Sequence, residues 1–235
     1  MIYITGDTHG AWDGRKQFIK ALTEEDILIV LGDLGWSWDK WHIEHFETKC
    51  QVLSILGNHE NYTLIEQMPV IEKYGGKVRQ MKDNVFYLLN GEMYEIEGQK
   101  FFVFGGALSI DKHWRTPYKS WWPQEQPTMG EYYHALETLE KHDWKFDYLL
   151  THTAETDLVQ IVLGRNDTVE DGTERMILEL KQQIKDHNGF FKGHFFGHLH
   201  EFWKSIRDNY FWYCLYTEIY DLQTGDVRFF PTNWC

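Results

Sequence analysis

Met1-Ile2-Tyr3-Ile4-Thr5-Gly6-Asp7-Thr8-His9-Gly10 opens the chain and decides how the rest is read. Ile2, Tyr3 and Ile4 form a short apolar run without alternation, the pattern of a strand buried on both faces. The run stops at Gly6. Asp7 and His9 follow two residues apart, so in extended chain their side chains point to the same side. In open α/β sheets, chemistry gathers just beyond the carboxyl ends of the strands. A carboxylate and an imidazole placed there can share one metal ion. Alone, Asp-x-His-Gly is an ordinary turn; its weight comes from recurrence.

Four later apolar runs end in the same way. Ile27–Leu31 leads into Gly32-Asp33, and Val52–Leu56 into Gly57-Asn58-His59-Glu60. Tyr148–Leu150 leads into Thr151-His152-Thr153, and Phe195-Phe196 into Gly197-His198-Leu199-His200. Five of the 12 histidines stand at these strand ends. Independent surface turns do not account for that placement.

Helical patterns lie between the early strands, around Phe18–Leu22 and residues 40–48, which predicts an α/β fold with a parallel sheet and right-handed crossovers. Val85–Leu89, Met93–Ile96 and Phe101–Phe104 read as successive antiparallel strands, with Glu97-Gly98 as the tightest turn. A long loop from Gly105 to about Pro127 carries His113, Trp114, Arg115, Trp121 and Trp122. Thr128 and Glu131 have capping-box spacing and open a helix with Tyr132, Leu136 and Leu139 on one face. Met176, Ile177, Leu180 and Ile184 mark another helix. Tyr213–Tyr220 and Val227–Phe230 read as a closing hairpin around Thr224-Gly225. No repeat or linker divides the chain, so residues 1–235 read as one domain with an aromatic loop or cap inserted at about 105–128.

At 235 residues the chain can bury a full core, and its 17% aromatic content predicts a Trp- and Tyr-rich one. The net charge of −13 repels nucleic-acid polymers and anionic membranes. A phosphorylated substrate therefore needs local positive charge, which bound divalent cations supply. Cys50, Cys214 and Cys235 lack Cys-x-x-Cys spacing, which argues against a disulfide framework or thiolate zinc site and for the reducing cytoplasm. No apolar run reaches the roughly 20 residues a membrane span needs. With the fold starting at Ile2, no cleaved leader is expected.

In order, Asp-x-His, Gly-Asp, Gly-Asn-His-Glu, His and Gly-His-x-His resemble the calcineurin-like metallophosphoesterase family. The resemblance spans residues 7–200. It implies a four-layer α/β/β/α sandwich of two mixed sheets flanked by helices. It implies that Asp7, His9 and His200 bind one metal, that Asn58, His152 and His198 bind the other, and that Asp33 bridges both. His59 would stand beside the substrate as the catalytic histidine, bonding a phosphoryl oxygen or protonating the leaving group. Such mixed carboxylate, imidazole and amide ligands suit Mn, Fe, Zn, Ni or Co, with manganese the expected ion in vitro. Two such ions can clamp a phosphoryl group and supply a bridging hydroxide for attack on a phosphate mono- or diester. Asn58 ligates without adding negative charge, so the site stays cationic.

Protein Ser/Thr phosphatases of the superfamily carry Gly-Asp-x-x-Asp-Arg-Gly at the second motif and an arginine before Gly-Asn-His. Here Gly32-Asp33-Leu34-Gly35-Trp36 and Leu56 stand there instead. Their absence turns the expectation from phosphoprotein, or a nucleic-acid end, toward a small or nucleotide-like phosphate ester. Arg115, with His113 beside it, is the candidate replacement phosphate contact. Trp36 is a candidate stacking contact for a planar leaving group. A non-catalytic scaffold of the same fold would have lost ligands, and none of the matched ones is missing. The sequence carries no signal for oligomeric state.

Overall fold

Apolar strands without alternation need cover on both faces, and the chain supplies it by stacking two sheets between helices. The computed structural model describes residues 1–235 apart from 12, 36–38, 46, 167–170, 208–209 and 231–235. Trp36, a predicted substrate contact, lies outside the described residues. In the first part, β1 (Ile2–Thr5), β2 (Ile27–Val30) and β3 (Gln51–Ser54) alternate with α1 (Lys16–Ala21) and α2 (Lys40–His45). Then come α3 (Tyr62–Ile65), β4 (Val70–Lys73), β5 (Gly76–Lys82), β6 (Val85–Leu88), β7 (Met93–Ile96) and β8 (Gln99–Phe104). Beyond the long loop lie α4 (Met129–Lys141), β9 (Tyr148–Thr151), α5 (Thr156–Leu163), α6 (Gly172–Asp186) and β10 (Gly193–Phe196). The last strands are β11 (Trp203–Arg207), β12 (Tyr210–Cys214), β13 (Ile219–Asp221) and β14 (Val227–Arg228).

The first sheet has eight strands in the order β14-β13-β1-β2-β3-β6-β5-β4, and the second has six in the order β11-β12-β10-β9-β8-β7. Both are mixed. Strands β1, β2, β3 and β6 run parallel in the first. Strands β8, β9, β10 and β12 run parallel in the second. The carboxyl ends of β1, β2 and β3 therefore lie side by side in one sheet, and those of β9 and β10 in the other.

Alternate residues of each strand face opposite layers. Ile2, Ile4, Ile29, Phe101, Val103, Leu150 and Phe195 belong to the core between the sheets. Tyr3, Leu28, Val30 and Val52 pack outward against Ile19 of α1 and Ile65 of α3. On the far side Phe102, Phe104 and Leu149 pack against Leu139 of α4 and Ile177, Leu180 and Ile184 of α6. That makes the α/β/β/α layering. The Thr128 hydroxyl accepts from the Glu131 N–H (3.2 Å), and the Glu131 carboxylate accepts from the Thr128 N–H (2.8 Å), closing the expected capping box. No helix among the described residues is long and apolar enough to cross a membrane.

Two expected pairings are corrected. Strand β6 does not pair with β7: it runs parallel to β3 and antiparallel to β5, while β7 pairs with β8 in the other sheet. Segment 213–220 is not one strand, because β12 belongs to the second sheet and β13 to the first; the hairpin is β13–β14. Helix α5 and the β4–β5 hairpin were not expected. The hairpin is an edge with half-exposed, largely polar residues, so it lacks the apolar run that marks a buried strand.

Phe195 is fully buried between the sheets, stacked on Tyr213 at 5.6 Å and tilted against Tyr220 at 5.0 Å. Phe195→Ala should lower stability by roughly 3–5 kcal/mol in urea titration, as expected for an aromatic cavity in a core. A loss under about 1 kcal/mol would contradict this packing.

Candidate metal centre

The carboxyl ends of β1, β2, β3, β9 and β10 bring seven of the predicted site residues and His59 to one place. Asp7 is 1% exposed and Asp33 and His152 are fully buried. Burial of two carboxylates is unfavourable unless positive charge or donors compensate. Asp7 Oδ1 accepts from the His198 N–H at 2.9 Å. Asp33 Oδ1 accepts from the His59 N–H at 2.7 Å. The second oxygen of each, Oδ2, is buried with no hydrogen-bond partner among the described residues.

Imidazole nitrogens converge on those two oxygens. His200 Nε2 lies 3.2 Å and His9 Nε2 3.7 Å from Asp7 Oδ2, and the two nitrogens are 2.9 Å apart. His9 Nδ1 is 3.8 Å from Asp33 Oδ2. His152 donates from Nδ1 to the Leu31 carbonyl at 2.6 Å. Its Nε2 then faces Asn58 Oδ1 at 2.9 Å and Asp33 Oδ1 at 3.5 Å. The His198 ring lies 5.0 Å from that of His152. Ligands held about 2.1 Å from a common ion stand roughly 3–3.5 Å apart, which is the spacing seen here. Asp7, His9 and His200 form one group able to hold an ion, and Asp7, Asp33 and His152 form another. Asp7 belongs to both groups, and Asp33, the bridging residue that the resemblance implies, belongs to the second. The orphaned oxygens and the facing nitrogens fit cations between them.

The charges respond to this crowding. Burial works against ionisation of Asp33, yet His152, His59 and His9 hold its carboxyl far below the usual range. Burial likewise opposes Asp7, whose carboxyl is nonetheless lowered, chiefly by His152 and the nearby His200. His152 should lose its charge on burial, but Asp33 and then Asp7 push it up to about 9. Burial, then the neighbouring His152, brings His198 down to about 4.

The backbone is shaped to this arrangement. His9, Asp33, His198 and His200 all have positive φ, between 47° and 65°. Each such non-glycine residue carries strain of order 1 kcal/mol. A Cβ on Gly57 would lie 2.1 Å from Asp33 Oδ1, and one on Gly197 2.5 Å from Asp7 Oδ1. Only glycine lets the neighbouring strand ends approach the carboxylates so closely.

Several supporting residues escaped the sequence reading. Arg15 is fully buried and donates to Thr5 Oγ1 (2.8 Å), the Tyr216 carbonyl (2.8 Å) and the Asp7 carbonyl (2.9 Å). Tyr216 in turn stacks on His200 at 4.5 Å. Asn58 Nδ2 donates to Ser109 Oγ (3.0 Å), and Ser109 donates to Glu125 (2.6 Å), which turns the Asn58 oxygen toward His152. Glu60 accepts from the Leu34 N–H (2.9 Å) and the Tyr87 hydroxyl (3.2 Å), fixing the turn that carries Asp33. Of these only Glu60 stood in a motif; isolated residues such as Arg15 and Ser109 carry no spacing signal.

Arg115 Nη2 lies 3.4 Å from His59 Nε2, and its guanidinium is held by Asp111 (2.7 Å) and the Ser120 carbonyl (3.1 Å). The long loop therefore does bring an arginine to the site. His113 does not follow it: this side chain is exposed, and the ring stands against Trp114. Burial lowers His59, an effect Asp33 resists and Arg115 reinforces. A cavity of about 450 Å³ opens over Asp33, Asn58, His59, His198 and His200.

Residues 1–202 match the family model of calcineurin-like phosphoesterases. No curated protein matches the chain. Among solved structures, an archaeal phosphodiesterase is similar at 14% identity over 97% of this chain and 96% of that one, with a TM-score of 0.43. Phosphopantetheinyl hydrolase from Mycobacterium tuberculosis is similar at 15% identity over 92% and 89%, with a TM-score of 0.47.

At about pH 7.5 metal-free His152 is protonated, whereas a metal ligand must be neutral. Adding a divalent cation to stripped protein should release about one proton per chain from this residue. Calorimetry in buffers of different ionisation enthalpy reads it, and His152→Gln should remove it. Wild-type binding without proton release would contradict the assignment.

Proposed function

The chain belongs to the calcineurin-like phosphoesterase family, hydrolases of phosphoric esters, and from that premise we propose that it cleaves a small phosphate mono- or diester with two divalent cations. The observation that carries this reading is the pair of buried, unpartnered oxygens, Asp7 Oδ2 and Asp33 Oδ2, each faced by imidazole nitrogens. Asp7, His9 and His200 would hold one ion, and Asn58, His152 and His198 the other, with Asp33 between them. When bound, the ions neutralise the phosphoryl oxygens and make water acidic enough to attack phosphorus. Manganese is the ion to try first, since oxygen and imidazole donors without thiolate suit it. Buried, unpaired Cys50 and Cys214 agree with a reducing compartment, the cytoplasm.

The chain's own residues do the rest. Lowered by burial, His59 is neutral at neutral pH and presents one nitrogen to Arg115. Its other nitrogen keeps the proton, free to bond a phosphoryl oxygen or the departing ester oxygen. Arg115 supplies a positive charge beside it and would be the phosphate contact in the absence of the motif arginines. In the reaction, water's oxygen ends on phosphorus and the ester oxygen leaves with a proton. A cavity of about 450 Å³ is of the size that holds a small molecule, which favours a small ester over a phosphoprotein loop or a polymer.

A panel of p-nitrophenyl phosphate, bis-p-nitrophenyl phosphate and nucleotides, each with added Mn, Fe, Zn, Ni or Co, tests the reading. Hydrolysis of at least one ester is expected, abolished in Asp33→Asn. No turnover with any metal, or full activity in Asp33→Asn, overturns it. His59→Gln should keep both metals and lose turnover about 100-fold or more. Wild-type rates in that variant remove His59 from the chemistry. Arg115→Ala should raise KM for the phosphate ester; unchanged KM and kcat discard the arginine as a phosphate contact.

A further inference from the structure

The cavity is longer than the metal centre. Away from Asp33 and His59 it continues between α5 and the loop after β10, where Val159, Leu163 and Leu199 wall it. Among the described residues, no Trp, Tyr or Phe lines it. Arg165 and Asp171 line the cavity as well; against Val159, Leu163 and Leu199 an aliphatic body fits, and a base would find no aromatic face to stack on there.

Glu174 lines the same arm from the first turn of α6. Its side chain is 5% exposed, and its Oε2 is buried with no hydrogen-bond partner among the described residues. The neighbouring Asp171, by contrast, is satisfied: it accepts from the Leu108 N–H (2.8 Å), the Gln126 amide (2.7 Å) and the Thr173 N–H (2.7 Å). Burial pushes the Glu174 carboxyl up to about 7, against a Thr156 hydrogen bond and with help from Asp171 and Glu155. A buried acceptor left without a donor is unfavourable by about 1–3 kcal/mol unless something in the cavity completes it.

We propose that this arm is the leaving-group subsite, built for an alcohol with an aliphatic body and a hydrogen-bond donor, hydroxyl or amine, at its far end. The reacting phosphoryl group sits over Asp33 and His59. The ester oxygen leads the alcohol past Val159, Leu163 and Leu199. Its distal donor bonds Glu174 Oε2. This rests on the hydrolase reading above and narrows its substrate class.

The test is a series of ω-hydroxyalkyl phosphates of two to eight carbons, set against the plain n-alkyl phosphates of the same length. Metal-loaded wild-type enzyme should show one chain length at which the hydroxylated ester is favoured about 10-fold or more in kcat/KM. Glu174→Leu should bring that ratio to near one. Glu174→Gln, whose amide oxygen still accepts, should retain part of it and guards against a misfolded leucine variant. If both ester types are hydrolysed without discrimination at any length, the subsite is wrong and the hydrolase reading stands. Discrimination that survives in Glu174→Leu also overturns it. If p-nitrophenyl phosphate and every alkyl ester resist hydrolysis with every metal, the hydrolase reading fails and takes the subsite with it. Nucleotides turned over faster than every hydroxyalkyl ester would contradict the aliphatic assignment.

Discussion

Two carboxylates, Asp7 and Asp33, are buried at the junction of two sheets in a protein of net charge −13. That is the constraint from which the rest of the arrangement follows. Buried anions this close repel one another and lose their hydration. They are tolerated because one oxygen of each takes a backbone N–H, because His9 and His200 face the second oxygens, and because His152 stands beside Asp33 Oδ1. His152, whose charged form Asp33 and Asp7 favour, supplies compensating charge from within the chain.

Satisfying that constraint shapes the backbone. His9, His198, His200 and Asp33 sit in left-handed conformations, and the glycines beside them leave no room for a Cβ. The strain is held by hydrogen bonds from groups behind these residues. Arg15 ties the first strand end to Tyr216, which backs His200. Ser109 and Glu125 turn the Asn58 amide. Glu60 fixes the turn of Asp33. The long loop after β8 thus orients Asn58 from behind while its Arg115 faces the cavity. Fold and chemistry meet in these supports, since Asp7, Asp33, Asn58 and His200 are each held by a residue from another part of the chain.

The centre was legible in the sequence because its residues stand in fixed order at the ends of buried strands, where an apolar run makes the strand end visible. Asp7, His9, Asp33, Asn58, His59, His152, His198 and His200 all carry that signal. The sheet partition did not show. Whether β6 pairs with β7 or crosses back to β3 depends on tertiary packing, and neither run names its partner in sequence. The β4–β5 edge was hidden by its polar residues. Arg15, Ser109 and Glu174 were hidden for another reason. Each is a single residue in an ordinary helix or loop, and only the folded chain sets it against Asp7, Asn58 or the cavity. His113 shows the converse: it is adjacent to the site in sequence and turned to solvent in space.

The central claim is that Asp7 and Asp33, with their imidazole neighbours and Asn58, form a cage for a pair of cations. Crystals grown with manganese and measured at its absorption edge test it most directly. The account predicts two anomalous peaks flanking the Asp33 carboxylate, one toward His9 and His200 and one toward His152 and His198. No peak at that position, or manganese bound only elsewhere on the surface, would contradict it.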